Sequence, residues 1–104
     1  MKRVELAVAA RAELDAAADH YEAAYRGRGV RFYRAVERTT LAIARFPAAA
    51  PLYPGLAEAL GVRRRVVRGF PFVIVYRDQR DVIRVDAVAH TRRQPGYWLT
   101  CLTR

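Results

Sequence analysis

The chain has 104 residues, 53% of them hydrophobic, and carries 19 Lys or Arg against 10 Asp or Glu, a formal net charge of +9. That length fits a single domain over 1–104 with a modest core, and the apolar content excludes a disordered chain. All of the basic residues but Lys2 are arginine, and the sequence contains no Ser and no Asn, which excludes a serine nucleophile, an asparagine oxyanion donor and an asparagine–adenine contact.

Val4, Leu6 and Val8 alternate with Arg3, Glu5 and Ala7, the period-2 pattern of a short strand. From Ala9 the period lengthens. Leu14, Ala17, Ala18, Tyr21, Ala24 and Tyr25 recur at helical spacing, with Asp15, Asp19 and Glu22 on other faces, predicting an alanine-rich amphipathic helix. Gly27 and Gly29 supply a stop and a turn. A second helix is predicted from Val30 to Phe46, with Phe32, Tyr33, Val36, Thr40, Ile43 and Ala44 as its buried stripe, ending before Pro47. So short a connection packs the two helices as an antiparallel hairpin. Residues 48–61 read as loop, with one helical turn from Leu56 to Leu60.

Three strands follow in quick succession: Val62 to Arg68, Phe70 to Tyr76 and Val82 to His90. The middle one is a continuous apolar run, which suits a central strand covered on both faces. Connections this short pair neighbouring strands antiparallel. The order β-α-α-β-β-β predicts an α+β domain, a helical hairpin packed on a small, mainly antiparallel sheet.

Residues 59–104 hold ten arginines against Asp78, Asp81 and Asp86, whereas residues 1–58 hold nine basic and seven acidic residues. An arginine excess gathered in one half favours a polyanionic partner, because guanidinium matches phosphate and carboxylate with a planar donor fork. Arg63, Arg64, Arg65 and Arg68 sit on the first of the three strands, where alternation sends Arg64 and Arg68 to one face and Arg63 and Arg65 to the other. They are candidates for target or nucleic-acid binding, with Arg92; an edge strand using charge against aggregation is the plainer alternative. After the last strand, His90, Arg92, Arg93, Tyr97 and Trp98 combine a group titrating near neutrality, cations and a phenol, the ingredients of metal-free ribonuclease chemistry or of a binding tip. The apolar tail with Trp98, Leu99, Cys101 and Leu102 either docks on the sheet or forms a partner interface.

Metal ligation is poorly supported: His20 and His90 are far apart in sequence, no C-x-x-C exists, and no cofactor motif is present, so neither metal nor cofactor is expected. A single cysteine favours a reducing, cytoplasmic location. No apolar run approaches the roughly 20 residues of a membrane span, and no signal-peptide core is apparent at the N-terminus.

The succession of strand, helical hairpin, Gly-x-Arg, Phe70-Pro71-Phe72-Val73-Ile74-Val75-Tyr76-Arg77, Val82-Ile83-Arg84-Val85-Asp86-Ala87-Val88-Ala89-His90 and Arg92-Arg93-x-Pro95-Gly96-Tyr97-Trp98 resembles the RelE/ParE superfamily of bacterial type II toxins, ParE-like members above all. The resemblance covers essentially the whole chain and is most specific from Arg68 to Trp98. It implies a small basic toxin bound and neutralised by an acidic antitoxin in a hetero-oligomer, the antitoxin meeting Trp98, Leu99 and Leu102. ParE-like members poison DNA gyrase and so block replication. RelE-like members are ribosome-dependent mRNA endoribonucleases that need no metal, and for that activity the resemblance matches Arg65 or Arg68, His90, Arg93 and Tyr97 to catalytic places. The chain departs from the RelE pattern in having no lysine in its central region, and its only acid between Glu37 and Asp78 is Glu58. The ParE-like reading therefore ranks first, the endoribonuclease second, and a non-toxic partner that co-represses its operon third.

Overall fold

The computed structural model describes residues 1–93 and 96–99. Its elements run β1 (Arg3–Leu6), α1 (Val8–Ala24), α2 (Arg28–Arg45), a single 3-10 turn (Glu58–Leu60), β2 (Val62–Val67), β3 (Phe72–Asp78) and β4 (Val82–His90). The sheet order is β1-β4-β3-β2: β3 pairs antiparallel with both β2 and β4, and β1 lies parallel to β4. This is the expected α+β arrangement. The parallel pairing is possible because the helical hairpin carries the chain back across the sheet between β1 and the later strands.

The first boundary falls earlier than alternation predicts. The strand stops at Leu6, the Ala7 N–H donates to Val85 O at 2.9 Å, and Arg11 N–H already donates to Ala7 O. Val8 is therefore a helical residue, and it is 88% exposed. The run Ala9, Ala10, Arg11, Ala12 favours helix strongly enough to override one β-branched residue. Ala24 and Tyr25, expected in the stripe of α1, are exposed; the stripe ends at Tyr21, where the helix leaves the sheet.

Two sets of side chains cover the sheet. On one face Ala10, Leu14 and Ala18 of α1 and Phe32, Ala35, Val36 and Ile43 of α2 pack on Val67, Phe72, Ile74, Tyr76, Ile83, Val85 and Val88. On the other, Val62, Val73, Val75, Ala87 and Ala89 are covered by Trp98, with Tyr53, Leu56 and Tyr97 at the margin. The apolar run of β3 is thus covered on both sides, as its composition predicts. Phe70 precedes the strand instead of starting it, because Pro71 has no N–H and the Phe72 N–H donates to Phe70 O at 2.8 Å within the turn. Its ring still reaches the core, 5.1 Å from Tyr21 and 5.1 Å from Phe32.

In α2 the buried positions include Ala35 and Thr39, whereas Tyr33 and Thr40 lie on the shoulders. The Thr39 hydroxyl donates to Ala35 O at 2.8 Å, which satisfies it in the core. Tyr33 instead donates to Asp15 at 2.6 Å and bridges the two helices from outside. The hairpin turn uses Gly27 at φ 88°, and Gly29 lies where the helices come closest: a Cβ there would stand 2.8 Å from Ala18 O. Glu22 closes the turn, accepting from the Gly27 and Gly29 N–H groups at 3.0 Å.

β4 contains one irregularity. Val75 pairs with Ala87 but Tyr76 pairs with Val85, so Asp86 is an extra residue in the ladder. The bulge switches the strand's phase. Ile83 and Val85 face the helices before it, and Val88 faces them after it.

Gly29→Ala tests the close helix approach. Alanine is the better helix former by about 1 kcal/mol, yet the contact with Ala18 predicts a loss of roughly 1–3 kcal/mol, read as a lower urea midpoint. An unchanged or higher midpoint would contradict the packing.

Candidate functional site

Two surfaces carry the polar side chains that the core does not use. The first lies at the end of β4. β1 is four residues long and its register with β4 ends at Leu6 opposite Val85. Beyond that point the β4 edge has no strand neighbour among the described residues, and α1 serves it through a side chain: Glu13 Oε1 accepts from the Val88 N–H at 3.1 Å. The second oxygen of Glu13 accepts from the Tyr97 hydroxyl and lies 3.4 Å from the Arg93 guanidinium. Arg93 in turn stacks on Tyr97, its Cζ 3.7 Å from the ring centroid. Burial, then the hydrogen bond and negative charge of Glu13, push the Tyr97 phenol well above its usual pKa, with Arg93 opposing. Tyr97 is accordingly a protonated donor whose hydrogen is committed to a carboxylate.

Below this cluster the bulge residue Asp86, 2% exposed, holds Arg77 through two hydrogen bonds of 2.8 Å. That pair places a fully neutralised charge beside a cleft of about 240 Å³ lined by Glu13, Asp86, Arg93, Tyr97 and Trp98. Trp98 is itself 2% exposed and sits edge-on to Tyr53 at 5.1 Å, with the Arg64 guanidinium over the Tyr53 ring.

His90, Arg93 and Tyr97 line one small cavity of about 80 Å³ together with Arg64. His90 does not hydrogen-bond to the other two among the described residues. Its Nδ1 accepts from the Arg92 N–H at 3.0 Å, and its ring packs edge-on against Phe72 at 5.1 Å, toward α1. Arg65 is on the helix side of β2, away from this cluster, so the structure gathers Arg64 with His90, Arg93 and Tyr97 instead. Of the residues expected to meet an antitoxin, Trp98 is buried in the sheet's second core, Leu99 is at the surface, and Leu102 lies outside the described residues.

The second surface joins α2 to β2. Arg28, Arg31, Arg34 and Arg38 of α2 face Arg68, Gly69 and Phe70 of the β2–β3 turn across an open cleft of about 540 Å³. A neighbouring cleft of about 580 Å³ has Ala35, Thr39, Ala42 and Val66 as its floor and Arg38, Arg65 and Arg68 at its rim. Arg68 therefore turns toward α2, and not to the Val62–Arg64 face that strict alternation assigns it, because β2 ends at Val67. Arg63 is drawn inward and donates to Ala50 O at 2.6 Å, fastening the loop after α2. That loop also covers part of the β2 edge: Tyr53 N–H donates to Val62 O and Arg64 N–H donates to Pro51 O. By the same alternation Val66 turns its backbone outward past the end of this cover, and its side chain is 66% exposed.

None of the six ion pairs among the described residues involves α2 or β2. Among the described residues no carboxylate lies within 4 Å of the arginines of this surface. Sequence reasoning missed both Glu13 and the α2 row. Glu13 interrupts the apolar series Ala10, Leu14, Ala17, Ala18, Tyr21 at a core-facing position, and Arg31, Arg34, Arg38 and Arg45 follow i, i+3, i+7, i+14 on one exposed face. Among the described residues no group of three or more His, Cys, Asp or Glu side chains is arranged to hold a metal ion, and no helix is long and apolar enough to cross a membrane.

Residues 4–95 match a family described as the ParE toxin of the type II toxin-antitoxin system, parDE. Among solved structures, one from P. aeruginosa described as a chromosomal ParDE TA system superposes with a TM-score of 0.63, covering 86% of this chain and 96% of that one. The two are 20% identical, so the likeness speaks for the fold. No curated protein sequence matches the chain.

The Glu13 cluster makes alkaline stability measurable. Because folding raises the Tyr97 pKa above its ordinary value of about 10, the stability tied to that proton is complete below about pH 10 and declines as the pH rises beyond it. Glu13→Gln leaves the burial and removes the charge, so Tyr97 should ionise at lower pH than in the wild type. Subtracting the ultraviolet titration of the Tyr97→Phe variant isolates this phenol, and an unshifted midpoint would contradict the assignment.

Proposed function

The chain belongs to the ParE toxin family of type II toxin–antitoxin systems, and from that premise we propose that it inhibits DNA gyrase, blocks replication and is neutralised by a cognate acidic antitoxin in a hetero-oligomer. The observation that carries this reading is the unpaired arginine surface of α2 and β2. A chain with such a face carries a strong field for anionic partners, and a partner that covers it gains Coulombic energy and buried area together.

The cleft with the apolar floor suits the antitoxin. Val66 and, in part, Ala42 offer apolar area to bury, Arg38, Arg65 and Arg68 offer charge at the rim, and the outward backbone of Val66 offers an edge to which an extended segment can add. Leu99 gives a second apolar contact on the opposite side of the sheet. A gyrase target implies that the toxin acts in the cytoplasm.

The geometry at the end of β4 favours this reading over ribonuclease chemistry. A nuclease needs a free base and a free acid poised at one phosphodiester. Here the Tyr97 hydroxyl is engaged by Glu13, the His90 Nδ1 is engaged by Arg92, and Arg65 lies on the other face of the sheet. These engagements support a supporting role for Tyr97 and Arg93 in the fold: they fasten the chain after β4 to α1.

The test is reconstituted supercoiling. Purified toxin should inhibit gyrase in a concentration-dependent manner, and stoichiometric antitoxin should restore activity, while a ribosome-programmed mRNA remains intact. Full supercoiling at saturating toxin would overturn the gyrase reading, and cleavage of the mRNA in the ribosomal A site would replace it with the endoribonuclease.

A further inference from the structure

The cleft between α2 and the β2–β3 turn has a chemistry distinct from its neighbour. Five arginines, Arg28, Arg31, Arg34, Arg38 and Arg68, line about 540 Å³, with Gly69 and Phe70 as the only other lining residues. No ion pair among the described residues reaches any of the five. Like charges gathered along one cleft repel one another; Arg28 stacks over the Tyr21 and Phe70 rings, and an anion is the partner that would offset the repulsion among the rest.

The shape of the charge narrows the occupant. Arg31, Arg34 and Arg38 follow i, i+3, i+7 along one straight helix, so their Cα atoms extend over roughly 10 Å at 1.5 Å per residue. Arg28 continues the line at the N-terminal end and Arg68 faces it from the sheet. This is a row of donors suited to successive anionic groups on one backbone, where guanidinium binds phosphate in bidentate fashion. An acidic protein arm would want apolar anchors as well, and this cleft has none to offer. Its one apolar ring, Phe70, is packed between Tyr21 and Phe32, and the Arg28 guanidinium lies 5.8 Å above it. The same packing leaves Phe70 half-buried beside a cation, a poor platform for the unpaired bases that single-stranded nucleic acids stack for affinity. A duplex needs only the cations.

We propose that the cleft lined by Arg28, Arg31, Arg34, Arg38 and Arg68 binds the phosphodiester backbone of duplex DNA. The site stands independently of which enzyme the toxin inhibits. It shares Arg38 and Arg68 with the apolar-floored cleft beside it, so a segment seated in that neighbour competes with DNA for two of the five cations.

The experiment measures fluorescence anisotropy of a labelled 20-base-pair duplex with the full chain over a range of salt. Each phosphate contact contributes about 0.9 to the slope of log affinity against log salt. The triple variant Arg31→Gln, Arg34→Gln, Arg68→Gln should lower that slope by roughly 2–3 and weaken binding at low salt by about 30-fold or more. A charge-matched variant with Arg3→Gln, Arg80→Gln and Arg84→Gln, at the other end of the sheet around the β3–β4 turn, should change affinity by less than about threefold. Circular dichroism and unfolding midpoints matching the wild type establish that both fold. Equal losses in the two variants would show diffuse attraction to a basic protein and overturn the site. Tighter binding of single-stranded DNA or RNA than of duplex, or binding of poly-glutamate in preference to duplex, would overturn the assignment to DNA.

Discussion

Where the carboxylates lie decides what the rest of the molecule can do. Each one that closes an ion pair belongs to β1, α1, β3 or β4: Glu5, Glu13, Asp15, Asp78 and Asp86. Glu22 is spent on the N–H groups of the helical turn. One side of the domain thereby pairs much of its charge internally, and the other, built from α2, β2 and the turn into β3, has no ion pair among the described residues. An overall charge of +9 does not by itself imply this. The same total spread evenly would be ordinary solubilising charge; gathered on one face it makes the field that the proposed anionic partner would meet.

Glu13 connects that division to the fold. A four-residue β1 leaves the β4 edge open from Asp86 onward, and an open edge invites pairing with another chain. Glu13 reaches across from α1, satisfies the Val88 N–H, and in the same carboxylate holds Tyr97 and Arg93. With Tyr97 held, Trp98 packs over Val73, Val75, Ala87 and Ala89 and supplies the second face of the sheet. The β4 side of the sheet is thus closed by α1 and by the residues after the strand, whereas the β2 side is closed only as far as Arg64 by the loop from Pro51 to Tyr53. The open stretch of the β2 edge is the one beside the arginines.

Much of this was legible in the sequence, and the reasons for the exceptions are physical. The bounds of β4 follow directly from Val82 to His90, and the apolar run of β3 announces a strand buried on both faces. The parallel β1–β4 pair is invisible to local pattern because its partners are almost eighty residues apart and nothing near either strand encodes the contact. The bulge is half visible: Ile83 and Val85 share one phase and Val88 the other, and only the pairing shows that Asp86 absorbs the change. Among the candidate site residues, position along the strand was easier to read than face. Arg68 escapes alternation because the strand ends before it. Trp98 reads equally as core or interface from sequence, and its burial depends on Tyr53, forty-five residues earlier. The arginine row of α2 was obscured by averaging charge over 1–58, where the acids of α1 cancel it. Its helical spacing carries the signal that the average loses.

The central claim is that the α2–β2 arginine face, and not the His90–Arg93–Tyr97 cluster, is the operative surface. Growth arrest on induced expression without antitoxin tests it most directly. Arg31→Gln, Arg34→Gln, Arg38→Gln should abolish the arrest at unchanged protein level, while His90→Ala, Tyr97→Phe should leave it in place. Arrest that survives the first set and disappears with the second would contradict the account.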